Sequence, residues 1–260
     1  MQLKDRIVVV TGAGSGIGKA LVKKFMKEGA KAVVGVDINA ETSRQTAAEL
    51  GCIAMSADVA KEEDIIRIIE ETEKDVGPID LFCNNAGVAL GASEQSPNAE
   101  WQAIWEINVM SHVYSARHLV PRMIARGGGY FLNTASAAGL LNQIGGAAYG
   151  TTKHAAVGFG EWLALTYAHQ GINVSLLCPQ AVRTAMTEDS DDKGTKAASG
   201  DGMMEPHQLA DIVVEHLERE AFLILTHEEV KTYMQRKSSD YDRWIRGMNR
   251  LQQTLTATPE

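Results

Sequence analysis

Residues 7–18 read Ile7-Val-Val-Val-Thr-Gly-Ala-Gly-Ser-Gly-Ile-Gly18, a β-branched run that ends in four alternating glycines. Continuous rather than alternating apolar residues mark a strand covered on both faces, the habit of a parallel sheet. The glycines let the backbone turn tightly and approach a phosphate, and the amphipathic stretch Ile17–Glu28 then offers that charge a helix N-terminus. A glycine string alone is a common turn. Here a strand precedes it, a helix follows, and Asp37 closes the next β-branched run 19 residues beyond Gly18. A carboxylate there can accept from both hydroxyls of an adenosine ribose. Asp37 could instead cap the following helix, a role for which Asn39 is better placed. The same carboxylate repels a 2′-phosphate, and its neighbours Ser15 and Ile38 are not basic, so the pattern predicts NAD rather than NADP.

Working outward, strand-like runs recur at Ala32–Val36, Ile53–Ala57, Asp80–Cys83, Tyr130–Thr134, Val174–Cys178 and Phe222–Leu225. Helical stretches fall between them at Ala40–Leu50, Lys61–Val76, Asn98–Arg126, Ala148–His169 and Pro206–Glu220. This alternation predicts a doubly wound α/β fold with one seven-stranded parallel sheet and right-handed crossovers. No linker and no internal repeat divides it, so residues 1–226 read as a single dinucleotide-binding and catalytic domain. Thr187–Gly202 is polar, glycine-spaced and aperiodic, which predicts a lid at about residues 187–205. Residues 227–260 read as a helical extension, with Tyr241, Ile245, Met248, Leu251 and Leu255 at helical spacing, packed on the domain or on a neighbouring subunit.

The composition narrows the class further. The 260 residues are 45% hydrophobic and 22% charged, which excludes collagen-like, coiled-coil and disordered chains. Cys52, Cys83 and Cys178 show neither CxxC pairing nor metal-ligand spacing, so no metal is expected and the compartment reads as reducing and cytoplasmic. A net charge of −8 opposes nucleic acid and anionic membranes. No apolar run approaches the roughly 18 residues of a membrane span, and the first residues lack the pattern of a secretory signal.

The spacing Gly12-x3-Gly16-x-Gly18 resembles the short-chain dehydrogenase/reductase family, and further motifs match it in order over roughly residues 3–226. Asp58-Val59 is similar to the family's adenine contact, and Asn84-Asn-Ala-Gly87 to its fourth-strand signature. Asn108, Ser136, Tyr149 and Lys153 match its catalytic set, with Tyr-x3-Lys at Tyr149–Lys153. Pro179-Gln-Ala-Val-Arg-Thr184 resembles its Pro-Gly-x-Val-x-Thr stretch, with Gln180 where the motif has glycine. The resemblance implies a Rossmann-like fold. It also implies a cofactor site of Gly12, Ser15, Gly16, Ile17, Gly18, Asp37, Ile38, Asp58, Val59, Asn85, Ala86, Gly87, Tyr149, Lys153, Pro179, Val182 and Thr184.

The chemistry explains why these residue types occur together. Tyr149 and Lys153 are four apart, so on a helix they share a face. A phenol titrates near 10, and an adjacent ammonium is expected to bring it toward neutral pH, where it can act as general acid/base on an alcohol or ketone. By the resemblance, Lys153 also holds the nicotinamide ribose, Ser136 binds the substrate oxygen, and Asn108 supports a water chain through Lys153. Asn84 and Asn85 also suit hydrogen bonds that knit adjacent loops. Leu141, Gln143 and Met186 are candidate contacts for a partly apolar substrate. Family members commonly form homotetramers, so a homo-oligomer, dimer or tetramer, is expected. A non-catalytic dinucleotide sensor on the same fold is the alternative, although a sensor has no need of a base.

Overall fold

The chain begins β1 (Ile7–Thr11), α1 (Gly16–Lys27), β2 (Ala32–Asp37), α2 (Ala40–Leu50), β3 (Ile53–Ser56), α3 (Glu62–Asp75) and β4 (Leu81–Asn84). It continues through α4 (Asn98–Trp105), α5 (Ser111–Ala125), β5 (Gly129–Thr134), α6 (Ala138–Leu141), α7 (Ala147–Tyr167) and β6 (Ile172–Cys178). Then come α8 (Lys193–Ala198), α9 (Pro206–Glu218), β7 (Leu223–Leu225), α10 (Glu229–Ser239) and α11 (Tyr241–Thr256). These elements belong to a computed structural model, which describes residues 1–187 and 193–256. The strands form one parallel sheet in the order β3-β2-β1-β4-β5-β6-β7, the doubly wound Rossmann-like arrangement.

Alternate strand residues face opposite sides of the sheet, and each side has its own apolar layer. Val8 and Val10 of β1 pack with Leu21, Val22 and Phe25 of α1 and with Leu209, Val213 and Leu217 of α9. Val9, between them, packs on the other face with Ile65, Ile68 and Ile69 of α3, Leu119 and Met123 of α5, and Leu163 of α7. Each such fully buried side chain stabilises the fold by about 1.5–3 kcal/mol relative to exposure. Burial on both faces explains why the strands read as unbroken apolar runs. β1 pairs with β2 on one side and with β4 on the other, so the winding reverses at β1. The reversal opens a crevice beyond the carboxyl ends of these two strands.

Three segments differ from the sequence expectation. The helix expected over Asn98–Arg126 is interrupted by a π-helical turn at Glu106–Met110, which separates α4 from α5. Within the stretch expected to be an aperiodic lid, residues 193–198 form α8, where Ala197 and Ala198 favour helix and α11 packs alongside; residues 188–192 lie outside those described. In α11 the face is rotated from the expected stripe: Tyr241 and Ile245 are each 57% exposed, whereas Trp244 turns inward against the ring of Tyr233 at 6.4 Å. The large indole takes the sheltered position. Among the described residues no helix is long and apolar enough to cross a membrane.

Candidate active site

The turn after β1 is built for close approach of backbone groups. Gly12 has φ +66°, and a Cβ on it would stand 3.0 Å from the Ala86 Cα. A Cβ on Gly18 would stand 2.0 Å from the Gly12 carbonyl oxygen and 2.8 Å from Asn85 Nδ2. Thr11 joins this turn to the loop after β4: its Oγ1 accepts from the backbone N–H groups of Asn85 and Ala86, both at 3.0 Å. Asn85 Nδ2 donates to the Thr11 carbonyl at 2.9 Å. Asp37 Oδ2 accepts from Gly14 N at 2.9 Å and its Oδ1 from Asn39 N at 3.0 Å, so the carboxylate is fixed with lone pairs to spare. Asn39 caps α2 through Oδ1, accepting from Glu41 N and Thr42 N. A glycine-lined turn at a helix N-terminus, with a held carboxylate beside it, fits the pyrophosphate and ribose of a dinucleotide.

Asn108 lies in the π-helical turn and is buried behind the cleft. Its Oδ1 accepts from Val88 N at 2.9 Å, while its Nδ2 donates to the Val88 carbonyl at 3.0 Å and to Thr152 Oγ1 at 3.3 Å. Gly87 marks where these groups meet, since a Cβ there would stand 3.2 Å from Asn108 Oδ1 and 3.4 Å from Lys153 Nζ. Asn84 bonds Asn133 and Ser115 beneath the same loop.

Tyr149 and Lys153 share a face of α7, with the Lys153 Nζ 5.7 Å from the phenol ring centroid. Lys153 donates to the Thr134 carbonyl at 3.1 Å, and burial lowers its pKa to about 8. Ser136 Oγ donates to the Pro179 carbonyl at 3.4 Å and holds the start of α6 by accepting from Ala138 N at 3.1 Å. Burial raises the Tyr149 phenol above its ordinary value, and the neighbouring Ser136 hydroxyl offsets only part of that. The lowering expected from the ammonium is therefore not what the structure gives. The same burial that disfavours a phenolate also disfavours the lysine charge meant to stabilise it.

One cleft of about 460 Å³ joins these parts. All of the expected cofactor residues line it: Gly12, Ser15, Gly16, Ile17, Gly18, Asp37, Ile38, Asp58, Val59, Asn85, Ala86, Gly87, Tyr149, Lys153, Pro179, Val182 and Thr184. Ser136 and Met186 line it as well, but Leu141 and Gln143 do not. The backbone reverses at Asn142, with φ +78°, and Gln143 packs against Gly146 instead. Sequence reasoning missed Val88, Ile107, Ala135 and Thr187 in the lining. Their apolar or small side chains carry no signal that distinguishes a wall from a core.

His112 was also missed. It is fully buried on α5, neither ring nitrogen has a hydrogen-bond partner, and burial with the nearby Lys153 charge lowers its pKa to about 3. Below pH 6.5 the unfolded chain takes up a proton that the folded chain refuses, so stability falls as pH drops toward 3. Relative to His112→Leu, the wild-type chain is expected to lose about 3 kcal/mol between pH 7 and pH 4, at about 1.4 kcal/mol per pKa unit. Urea midpoints at the two pH values measure this. Equal losses in both chains would show that His112 does not set the acid limb.

The sheet order, the glycine turn and the crevice at the winding reversal define a nucleotide-binding α/β protein. The short chain dehydrogenase family profile matches residues 6–194. The 1-deoxy-11-beta-hydroxypentalenate dehydrogenase of Streptomyces exfoliatus is 32% identical over 255 residues, covering 94% of this chain and 91% of that one. An NAD-dependent glycerol dehydrogenase of Listeria innocua is 35% identical over 188 residues, covering 71% and 73%. A short chain dehydrogenase/reductase of Burkholderia phymatum, crystallised in complex with NAD, superposes with a TM-score of 0.84 at 26% identity, covering 93% of this chain and 96% of that one. The chain belongs to the short chain dehydrogenase family and is an oxidoreductase.

Proposed function

We propose that this oxidoreductase interconverts a secondary alcohol and a ketone, with NAD as its cofactor and Tyr149 as general acid/base. The observation that carries the reading is the single cleft in which Asp37 and the glycine turn lie at one end and Ser136, Tyr149 and Lys153 at the other. The named activities of the relatives, dehydrogenation of hydroxypentalenate and of glycerol, support an alcohol substrate.

The residues divide the work. Gly12, Ser15, Gly16, Ile17 and Gly18 would hold the pyrophosphate, Asp37 and Ile38 the adenosine ribose end, and Asp58 and Val59 the adenine. Asn85, Ala86, Gly87, Pro179, Val182 and Thr184 would hold the remainder, with Lys153 on the second ribose. When bound, the nicotinamide supplies or accepts the hydride. Ser136 orients the substrate oxygen and stabilises charge that develops there. Tyr149 donates its proton to that oxygen in reduction and takes it back in oxidation. A phenol held high by burial is the form that reduction requires at neutral pH. Asn108 positions the loop at Val88 and, through Thr152, the helix that carries Lys153.

Asp37 supports NAD over NADP. Replacing it with serine removes two charge-assisted hydrogen bonds and the repulsion of a 2′-phosphate. At about 1.5–3 kcal/mol for such bonds, the ratio of kcat/KM for NAD over NADP is expected to fall roughly 100-fold. Kinetics with both cofactors decide it, and an unchanged ratio would place the ribose elsewhere. A panel of secondary alcohols and ketones followed by NADH absorbance tests the reaction itself. NADH binding without turnover on any of them would instead favour the sensor. The outer face of α7, with Trp162 51% and Leu165 84% exposed, supports a homo-oligomer, and we propose a cytoplasmic location.

A further inference from the structure

Helix α10 follows the last strand, outside residues 6–194 that match the family, yet it is bonded to two segments that shape the cleft. Tyr233 Oη donates to both carboxylate oxygens of Asp201, at 3.0 and 3.1 Å. Asp201 Oδ2 also accepts from Gln180 Nε2 at 2.9 Å, and the same amide nitrogen donates to the Ala198 carbonyl at 2.9 Å. Gln180 lines the cleft between Pro179 and Val182, on the loop that leaves β6. Both partners of its Nε2 are acceptors, so the amide can be oriented only one way. Among the described residues its Oε1 is left buried without a partner. A glutamine that gives up one hydrogen-bonding atom to keep two bonds at the other is not a neutral filler.

The second segment leaves β5. Lys237, one turn beyond Tyr233 and on the same face of α10, donates to the Leu140 carbonyl at 2.7 Å. Leu140 lies in α6, directly after Ser136. The two stems of the β6 loop are joined as well, through Arg183 N to the Met204 carbonyl at 2.9 Å and Met204 N to the Ala181 carbonyl at 3.0 Å. Arg183 Nε also pairs with Glu205 at 2.7 Å. Trp244 of α11 packs on Tyr233 from behind.

We propose that α10 is a brace that sets the spacing of the substrate end of the cleft. Tyr233 and Lys237 are positioning residues, and Gln180 carries the position of Asp201 to the wall that holds Ala185, Met186 and Thr187. The proposal rests on the reading of this cleft as an alcohol and ketone site, and it locates substrate selectivity partly in a helix that contributes no residue to the cleft lining. Loosening the brace widens the range of alcohols accepted and weakens binding of the compact ones, while the glycine turn and Asp37 at the far end of the cleft keep their contacts.

The test combines hydrogen exchange on the intact protein with kinetics. In Tyr233→Phe, and again in Asp201→Asn, exchange at the Arg183 and Met204 amides is expected to accelerate tenfold or more, with Tm nearly unchanged. In Lys237→Met the acceleration falls on residues 138–142 instead. For the best alcohol in the panel, Tyr233→Phe raises KM five- to tenfold, with a smaller rise in the NADH Kd, below threefold, through Val182 and Thr184 on the same loop. Adding it to Gln180→Ala brings no further loss, because both break one chain of contacts. Unchanged exchange at Arg183 and Met204 overturns the brace, as does a double variant whose losses multiply or a KM that stays fixed beside normal turnover. Should the wild-type enzyme turn over no alcohol or ketone, the functional reading falls, and the exchange data still decide whether α10 holds the two segments.

Discussion

Replacement of Tyr149 by phenylalanine is expected to lower turnover by roughly 10³-fold or more, while the NADH Kd stays within about threefold of wild type. The substitution removes one oxygen from a half-buried ring and leaves the helix, the lysine and the turn in place. Ser136 keeps its bonds to the Pro179 carbonyl and to Ala138 N. Lys153 keeps its bond to the Thr134 carbonyl. On the proposed function, what the substitution removes is the exchange of a proton at the substrate oxygen. Stopped-flow absorbance for turnover and fluorescence titration for NADH separate the two effects. Turnover near the wild-type rate would remove Tyr149 from the reaction, and a parallel loss of NADH affinity would reassign it to cofactor binding.

The second large effect is expected at Gly18. In Gly18→Ala the new methyl would stand 2.0 Å from the Gly12 carbonyl oxygen and 2.8 Å from Asn85 Nδ2. Neither group can retreat cheaply: one is backbone in the turn, and the other is committed to the Thr11 carbonyl at 2.9 Å. Overpacking of this kind costs about 1–3 kcal/mol or more. Tm is expected to fall by about 5–10 °C for a chain of this size, and the NADH Kd to rise by roughly 100-fold or more. Gly247→Ala is the control, because a Cβ there, within α11, meets only the Arg250 guanidinium at 4.0 Å. That change should be neutral or stabilise the helix by about 0.5–1 kcal/mol. Differential scanning calorimetry and NADH titration on both variants test the contrast, and similar behaviour of the two would show that the turn tolerates a side chain.

Legibility followed the physics of each residue. The sheet was readable because burial on both faces writes itself as unbroken runs such as Ile7–Val10. The glycine turn was readable because close approach of backbones demands glycine at Gly12 and Gly18, and Asp37 because it ends the strand beside that turn. Ser136, Tyr149 and Lys153 were readable as a set, whereas the direction of the phenol shift was not: it depends on how much water reaches the ring, which spacing does not record. The π-helical turn at Glu106–Met110 was invisible because an i+5 bond has no residue signature in a helix whose apolar pattern continues through it. Gln180 was visible as a departure from the motif, but its partners Ala198 and Asp201 lie across a loop whose path the sequence leaves open. Leu141 and Gln143 fall outside the lining of the cleft, and the positive φ at Asn142 between them is not written in an apolar pattern.

The pairing of β1 with β4 also constrains the order of folding. Val8 stands beside Leu81, so the two strands that frame the crevice are brought together only after about 70 intervening residues have been collapsed or looped out. No amino-terminal fragment that stops before β4 can assemble a dinucleotide site, however sound its first βαβ unit. On a nascent chain the crevice matures late, and the ligand, which recognises only the assembled pair, draws the last equilibrium toward the native state in proportion to its concentration above Kd.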